Sequence, residues 1–81
     1  MPISTEQCKG ARAMLGWSRE QLANAAEVAV GTVVDFERGA RRPYKRTLTD
    51  IRRALEDAGV FFIDEDEELG PGVRLRKTEE Q

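Results

Sequence analysis

Residues 17–39 constrain the fold more than any other stretch, because they carry two helix signals separated by a very short turn. Ser18 stands where a helix N-cap is expected, and Gln21 follows three residues later, at the spacing of a capping box. The first predicted helix runs from about residue 19 to residue 26, with its apolar side chains on one face. The second runs from about residue 30 to residue 38.

Gly39 follows the second of these helices and is predicted to end it as the C′ residue, where a left-handed backbone costs glycine little. Two short helices set at an angle by a turn of three or four residues form a helix-turn-helix motif. The second helix of such a motif is able to enter the major groove of DNA. The stretch therefore predicts a helix-turn-helix in the middle of the chain.

Two further helices are expected around this motif. One covers about residues 6–15, is capped by Ser4 or Thr5, and carries on its inner side Cys8, Ala11, Met14 and Leu15. The other begins near Lys45 or Thr47, runs to about Ala58, and buries Leu48, Ile51, Ala54 and Leu55.

The last third of the chain changes to strand-like patterns. Residues 60–63 are β-branched and aromatic, and residues 73–76 alternate apolar and basic, so the two runs are predicted to pair as an antiparallel hairpin. Val73 and Leu75 are expected to face the core. The open edges of so small a sheet favour addition of a second copy, so the hairpin is predicted to mediate dimerisation.

These elements predict a mainly α fold, a four-helix domain with a C-terminal two-stranded β-hairpin. Residues 1–59 form the helix-turn-helix domain, residues 60–77 the hairpin, and residues 78–81 a disordered tail.

The composition argues against an enzyme. The chain has no histidine and a single cysteine, Cys8, which excludes the usual zinc sites and histidine-based acid–base chemistry. We therefore expect no catalytic residue, no metal, no cofactor and no small-molecule substrate. One cysteine forms no internal disulfide, and no run is long enough to cross a bilayer, so a cytoplasmic protein without a membrane partner is expected.

The charge is unevenly distributed along the chain. The formal net charge is −2, but residues 1–59 hold ten lysines and arginines against eight aspartates and glutamates, a charge of +2. Residues 60–81 hold three against seven, a charge of −4. The densest basic run, residues 38–46, directly follows the helix-turn-helix. This distribution favours double-stranded DNA as a partner of the N-terminal domain.

Positions spread over about residues 6–59 form one combined pattern. They are Arg12, Gly16, Trp17, Ser18, Gln21, Leu22, Ala23, Thr32, Val33, Phe36, Glu37, Arg38, Gly39, Arg42 and Pro43, followed by Leu48, Ile51, Ala54, Leu55, Gly59 and Val60. In this pattern the chain resembles the Xre-type, phage-repressor-like helix-turn-helix family of bacterial transcription regulators. The resemblance implies a repressor-like four-helix domain, with the hairpin in place of the family's fifth helix. It also implies a homodimer that binds an inverted repeat near its own operon.

The resemblance further implies roles for individual residues. Arg12 and Glu37 would form a structural ion pair between the first and third helices, although two solvated charges remain an alternative. The phosphate contacts would come from Ser18, Arg19, Arg38, Arg41, Arg42 and Lys45, although an ordinary solvated loop remains an alternative for Arg41 and Arg42. The face that reads base edges in the major groove would consist of Val30, Gly31, Thr32, Val34 and Asp35.

This base-reading face departs from the family pattern, which often places Gln, Arg, Asn or Ser there. Val30 and Val34 could pack on thymine methyl groups, and Asp35 could accept from a cytosine amino group, but no side chain of the face offers a bidentate donor. Specificity would then rest on Thr32, Arg38 and DNA shape. The alternative hypothesis is a protein-binding module on the same fold, such as an antiactivator or antitoxin-like partner.

Overall fold

The computed structural model describes residues 2–77 and contains four helices followed by two strands. In chain order these are α1 (Thr5–Leu15), α2 (Arg19–Ala26), α3 (Val30–Glu37), α4 (Lys45–Asp57), β1 (Val60–Ile63) and β2 (Gly72–Leu75). The predicted mainly helical fold with a C-terminal hairpin is confirmed. The tail predicted at residues 78–81 lies outside the described residues.

The helices begin in two different ways. In α1 the Ser4 hydroxyl accepts from the Gln7 amide at 3.0 Å, and the Gln7 side chain accepts from the Ser4 amide at 2.8 Å. Ser18 and Gln21 form the same complete capping box at the start of α2. In contrast, the N-cap residues of α3 and α4 are Ala29 and Tyr44, and neither side chain bonds to the first turn of its helix.

One hydrophobic core joins all four helices to the inner face of the hairpin. Its fully buried side chains include Leu22, Val33, Ile51, Leu55 and Val60, and each such burial contributes about 1.5–3 kcal/mol to folding. Within residues 2–77 no helix is long and apolar enough to span a membrane.

One residue predicted to lie in this core is largely outside it. Met14 is 45% exposed, unlike its predicted neighbours Cys8 and Ala11, which are buried. It lies near the C-terminal end of α1, where less of the fold covers the helix.

The hairpin packs one face of its two strands against the helices. Val60 and Phe62 are buried while Phe61 and Ile63 point outward, as the period of two requires. β2 begins and ends one residue earlier than predicted. Val73 is partly buried and lies over α1, with a methyl carbon 3.4 Å from where a Cβ on Gly10 would stand.

Leu75 lies on the predicted face of the sheet, but the expectation that it is buried in the core was wrong. Leu75 pairs with the buried Val60 and so lies on the inner side of the sheet, yet 47% of it is exposed. β2 is an edge strand near the end of the described chain, and no strand among residues 2–77 lies beyond that edge.

Gln7 connects α1 to the end of the hairpin. Gln7 also acts outside the capping box. Its side-chain nitrogen Nε2 donates to the carbonyl oxygens of Ile63 at 3.2 Å and Gly72 at 3.0 Å. These two residues face each other in the register of the strands. The buried Gln7 side chain therefore uses both its oxygen and its nitrogen, and it fixes the hairpin to the helical domain.

We expect Gln7→Glu to destabilise the protein by about 1–3 kcal/mol, because a carboxylate keeps the capping box but cannot donate to two carbonyl groups. Gln21→Glu is the matched control. Gln21 occupies the same position of the α2 capping box, but the box is exposed, and the free energy of unfolding should change by less than about 0.5 kcal/mol. Chemical denaturation of both variants checks this, and equal effects of the two substitutions would contradict it.

Candidate nucleic-acid interface

The turn between α2 and α3 fixes the direction of α3. Glu27 follows α2 in a left-handed conformation, with φ at +59°, where glycine is the usual residue. The amide of Val28 then donates to the Ala23 carbonyl oxygen at 3.0 Å, and the Val28 side chain packs against the core. This closes the end of α2 and starts α3 only three residues later.

One side of α3 faces the core and the opposite side faces solvent. Val33, Phe36 and Glu37 are buried. At 100° per residue, the direction opposite to these three is occupied by Gly31 and Asp35. Nothing lies within 4 Å of the position where a Cβ on Gly31 would stand. The outer surface of α3 is therefore open to a large partner.

The other predicted base-reading residues lie on the two flanks of this surface. Val30, 42% exposed, and the partly buried Val34 line a shallow groove toward the start of α2, shared with Ser18 and Arg19. Thr32 lies on the opposite flank, in a depression formed with the loop that follows α3. The five predicted base-reading residues thus form one continuous strip on α3, but only Gly31 and Asp35 lie at its centre.

The loop after α3 carries the basic residues and is anchored by backbone hydrogen bonds. Gly39 has φ at +72°, and the amide of Ala40 donates to the Asp35 carbonyl oxygen at 2.9 Å, while the Gly39 amide donates to Phe36 at 3.1 Å. This is a Schellman motif, as the glycine predicted. It turns the chain so that the basic loop borders the outer surface of α3.

Four cations in and around this loop have no ion-pair partner among the described residues, and two of them, Arg41 and Arg42, share a depression with Thr32 of α3. The four are Arg38, Arg41, Arg42 and Lys45, all exposed. Unpaired guanidinium and ammonium groups beside an open helix face supply the positive potential that attracts phosphate.

The two predicted phosphate-binding residues at the start of α2 are partly engaged within the protein. The Ser18 amide donates to Gln21 at 2.7 Å, which leaves only the hydroxyl hydrogen of Ser18 for a ligand. The Nε of Arg19 donates to Glu37 at 3.0 Å, and 43% of the Arg19 side chain is exposed. Its terminal nitrogens therefore remain at the edge of the groove next to Val30.

The buried carboxylate of Glu37 is bonded to three side chains. Arg12 forms a bidentate pair with it through Nε at 2.7 Å and Nη2 at 2.8 Å, and the Cys8 thiol donates to it at 3.2 Å. Burial alone would raise the pKa of this carboxyl, but the hydrogen bonds from the two arginines and the thiol outweigh it and lower the pKa below its ordinary value of 4.5. The same pair raises the pKa of Arg12.

One residue of this surface was missed by the sequence analysis. Tyr44 is 87% exposed and lines the depression next to Thr32 and the basic loop. A large aromatic side chain so far from the core is available to a partner, and its hydroxyl group is able to donate to phosphate. The available signal was its position inside the basic run of residues 38–46.

Within the described residues no cluster of three or more histidine, cysteine, aspartate or glutamate side chains is arranged to hold a metal ion.

The arrangement of a capped helix, a tight turn and an exposed second helix is that of a helix-turn-helix protein. A family model for this motif, HTH_3, matches residues 9–56, which is more than half of the chain. The chain therefore belongs to the Xre-type, phage-repressor-like helix-turn-helix family, as the sequence indicated, and its domain is that of a DNA-binding regulator. No curated protein sequence matches the chain.

We expect Glu37→Ala to lower the free energy of unfolding by about 2–4 kcal/mol, because it leaves the largely buried Arg12 without its counter-charge. Glu56→Ala is the control. It removes one carboxylate from an exposed ion pair with Arg52 at 3.1 Å, and such pairs contribute about 0.3–0.5 kcal/mol. Thermal and chemical denaturation measure both, and an unchanged midpoint for Glu37→Ala would refute the structural role of the pair.

The same carboxylate predicts a pH dependence. Its pKa is lower in the folded state than in the unfolded chain, so its contribution is complete above about pH 4.5 and is lost as the pH falls through the folded-state pKa. We expect the free energy of unfolding to fall with acidification in that range, and the slope to be smaller in Glu37→Gln. Identical slopes in the two proteins would show that the carboxylate does not carry the effect.

Proposed function

We propose that the protein is a sequence-specific DNA-binding transcription regulator, a repressor that acts as a homodimer on an inverted repeat near its own operon. The observation that carries this proposal is the open outer surface of α3 beside the unpaired cations Arg41 and Arg42. With α3 in the major groove, we expect the cations of this loop to contact phosphates that border the groove.

The uncapped helix starts support the same orientation. α3 begins next to the groove shared with Ser18 and Arg19, and α4 begins at Tyr44, next to the basic loop. Their first amide groups are not used by a capping side chain. In this orientation these amide groups are able to donate to phosphate oxygens. The positive end of each helix dipole adds to the attraction.

Loss of one phosphate contact gives the first test. We expect Arg42→Ala to weaken binding to DNA from upstream of its own gene and to lower the slope of log K against log[salt] by about 0.9. Arg53→Ala removes the same charge from the α4 face beside the C-terminal end of α2, and it should leave both affinity and slope unchanged. Fluorescence anisotropy between about 50 and 200 mM salt measures this. Equal effects of the two substitutions would count against the proposed orientation.

The apolar flank of α3 gives a test of base reading. Val30 and Val34 offer methyl groups and no hydrogen-bond donor, so thymine methyl groups are the base features that they fit. In a selected operator, replacing the contacted thymine by uracil removes only one methyl group. We expect the affinity of the wild-type protein to fall about fourfold, the value of one buried methyl group. Val30→Ala should bind the thymine and uracil operators equally well, because the contact with the methyl group is already lost. The same replacement outside the half-sites is the control.

The same flank keeps a second function under consideration. An exposed apolar surface with one carboxylate, Asp35, also fits a protein partner of the antiactivator or antitoxin-like kind. Salt separates the two functions, because phosphate contacts make affinity fall steeply with salt and an apolar protein interface does not. Binding that is weak and equal on the operator and on a scrambled duplex would favour the protein partner.

A further inference from the structure

The β-hairpin has an unpaired edge. The Arg76 amide donates to the Gly59 carbonyl oxygen at 2.8 Å, and Val60 pairs with Leu75. Because hydrogen-bonded and non-hydrogen-bonded pairs alternate along antiparallel strands, the backbone groups of Val73 and Leu75 point away from β1. Within residues 2–77 no backbone group of another element bonds to them. This edge is available for one more strand.

The same segment holds much of the apolar surface that the fold leaves uncovered. In the described chain, the exposed large hydrophobic side chains of the segment are Phe61 at 48%, Ile63 at 36%, Leu69 at 69% and Leu75 at 47%. Leu75 pairs with the buried Val60, which places it on the inner face of the sheet, at an edge beyond which residues 2–77 provide no further strand. A strand placed beyond β2 would cover it.

The two ends of the hairpin carry opposite charges. The loop that joins the strands is acidic and exposed at every position from residue 64 to residue 68. Its Asp66 accepts from the amides of Glu68 and Leu69, which orders the loop and lowers the pKa of Asp66. The opposite end of the hairpin carries the exposed basic residues Arg76 and Lys77.

We propose that two copies of this chain join edge to edge along β2, antiparallel, so that the acidic loop of each lies against Arg76 and Lys77 of the other. A two-fold axis makes such a contact self-complementary, because each copy offers one acidic and one basic end. The product is a four-stranded sheet of order β1-β2-β2-β1. It removes the open edge of β2, covers Leu75, and pairs both charged ends.

This inference deepens the proposed function, on which its role in DNA binding rests, by assigning the surface that places two α3 helices on one operator. Two charge reversals test it. One chain carries Arg76→Glu and Lys77→Glu, and the other carries Asp64→Lys, Glu65→Lys, Glu67→Lys and Glu68→Lys, which changes the charge of the loop from −5 to +3. These side chains are exposed, and Asp66 is left in place to keep the loop ordered.

Sedimentation equilibrium measures the dimer constant of each chain and of an equimolar mixture. We expect the wild-type protein to dimerise, and each reversed chain alone to dimerise at least about tenfold more weakly, because like charges then face each other. In the mixture both contacts of a heterodimer become attractive again, so dimerisation should return. A reversed chain that had merely failed to fold would not recover on mixing.

The control reverses two charges outside the proposed interface, as many as are reversed at the basic end of the hairpin. A chain with Arg41→Glu and Arg42→Glu should dimerise like the wild-type protein but lose DNA binding. A wild-type protein that stays monomeric at high concentration, a dimer insensitive to both reversals, or a mixture that does not associate would each overturn the inference. Salt-sensitive operator binding in those cases would leave the proposed function standing, and a dimer that binds no DNA would refute only that function.

Discussion

The arrangement of the helices depends on one buried negative charge. Glu37, near the end of α3, binds Arg12 from α1 and Arg19 from the start of α2. Arg12 also donates to the Trp17 carbonyl oxygen at 2.9 Å, in the connection between those helices. A carboxylate without partners would be costly in this position, so the three helices pack only where its hydrogen bonds can form. The open surface of α3 is a consequence of that packing.

On the scale of the whole domain, positive and negative side chains lie in different regions. The cations of residues 38–45 lie in and around the loop after α3. The acidic loop joins the two strands of the hairpin, which packs on α1 and α4. The net charge of −2 therefore conceals a molecule with two electrostatically different regions. Such a distribution orients the domain toward a polyanion, because the acidic region is repelled where the basic region is attracted. A negative overall charge is compatible with a DNA-binding domain for this reason.

Local signals in the sequence predicted the local structure well. Ser18 with Gln21 predicted the start of α2, and Gly39 predicted the end of α3. A β-branched and aromatic run predicted β1, and apolar alternation predicted β2. The contacts that the sequence did not reveal join distant residues. Gln7 bonds to carbonyl groups 56 and 65 positions away, and no spacing rule relates them. Alternation within one strand predicts which face of the sheet Leu75 lies on. It does not predict whether another element covers the edge of that strand, and this decides the exposure of Leu75.

The Cys8 thiol is a built-in probe of the hydrogen bonds around Glu37. It is the single cysteine of the chain, it is fully buried, and burial raises its pKa further above that of a free thiol. A thiol reagent therefore reacts only when the contact with Glu37 opens. The labelling rate of the native protein would report how often α1 and α3 separate. This residue-specific information requires no engineered probe and no change to the outer surface of α3.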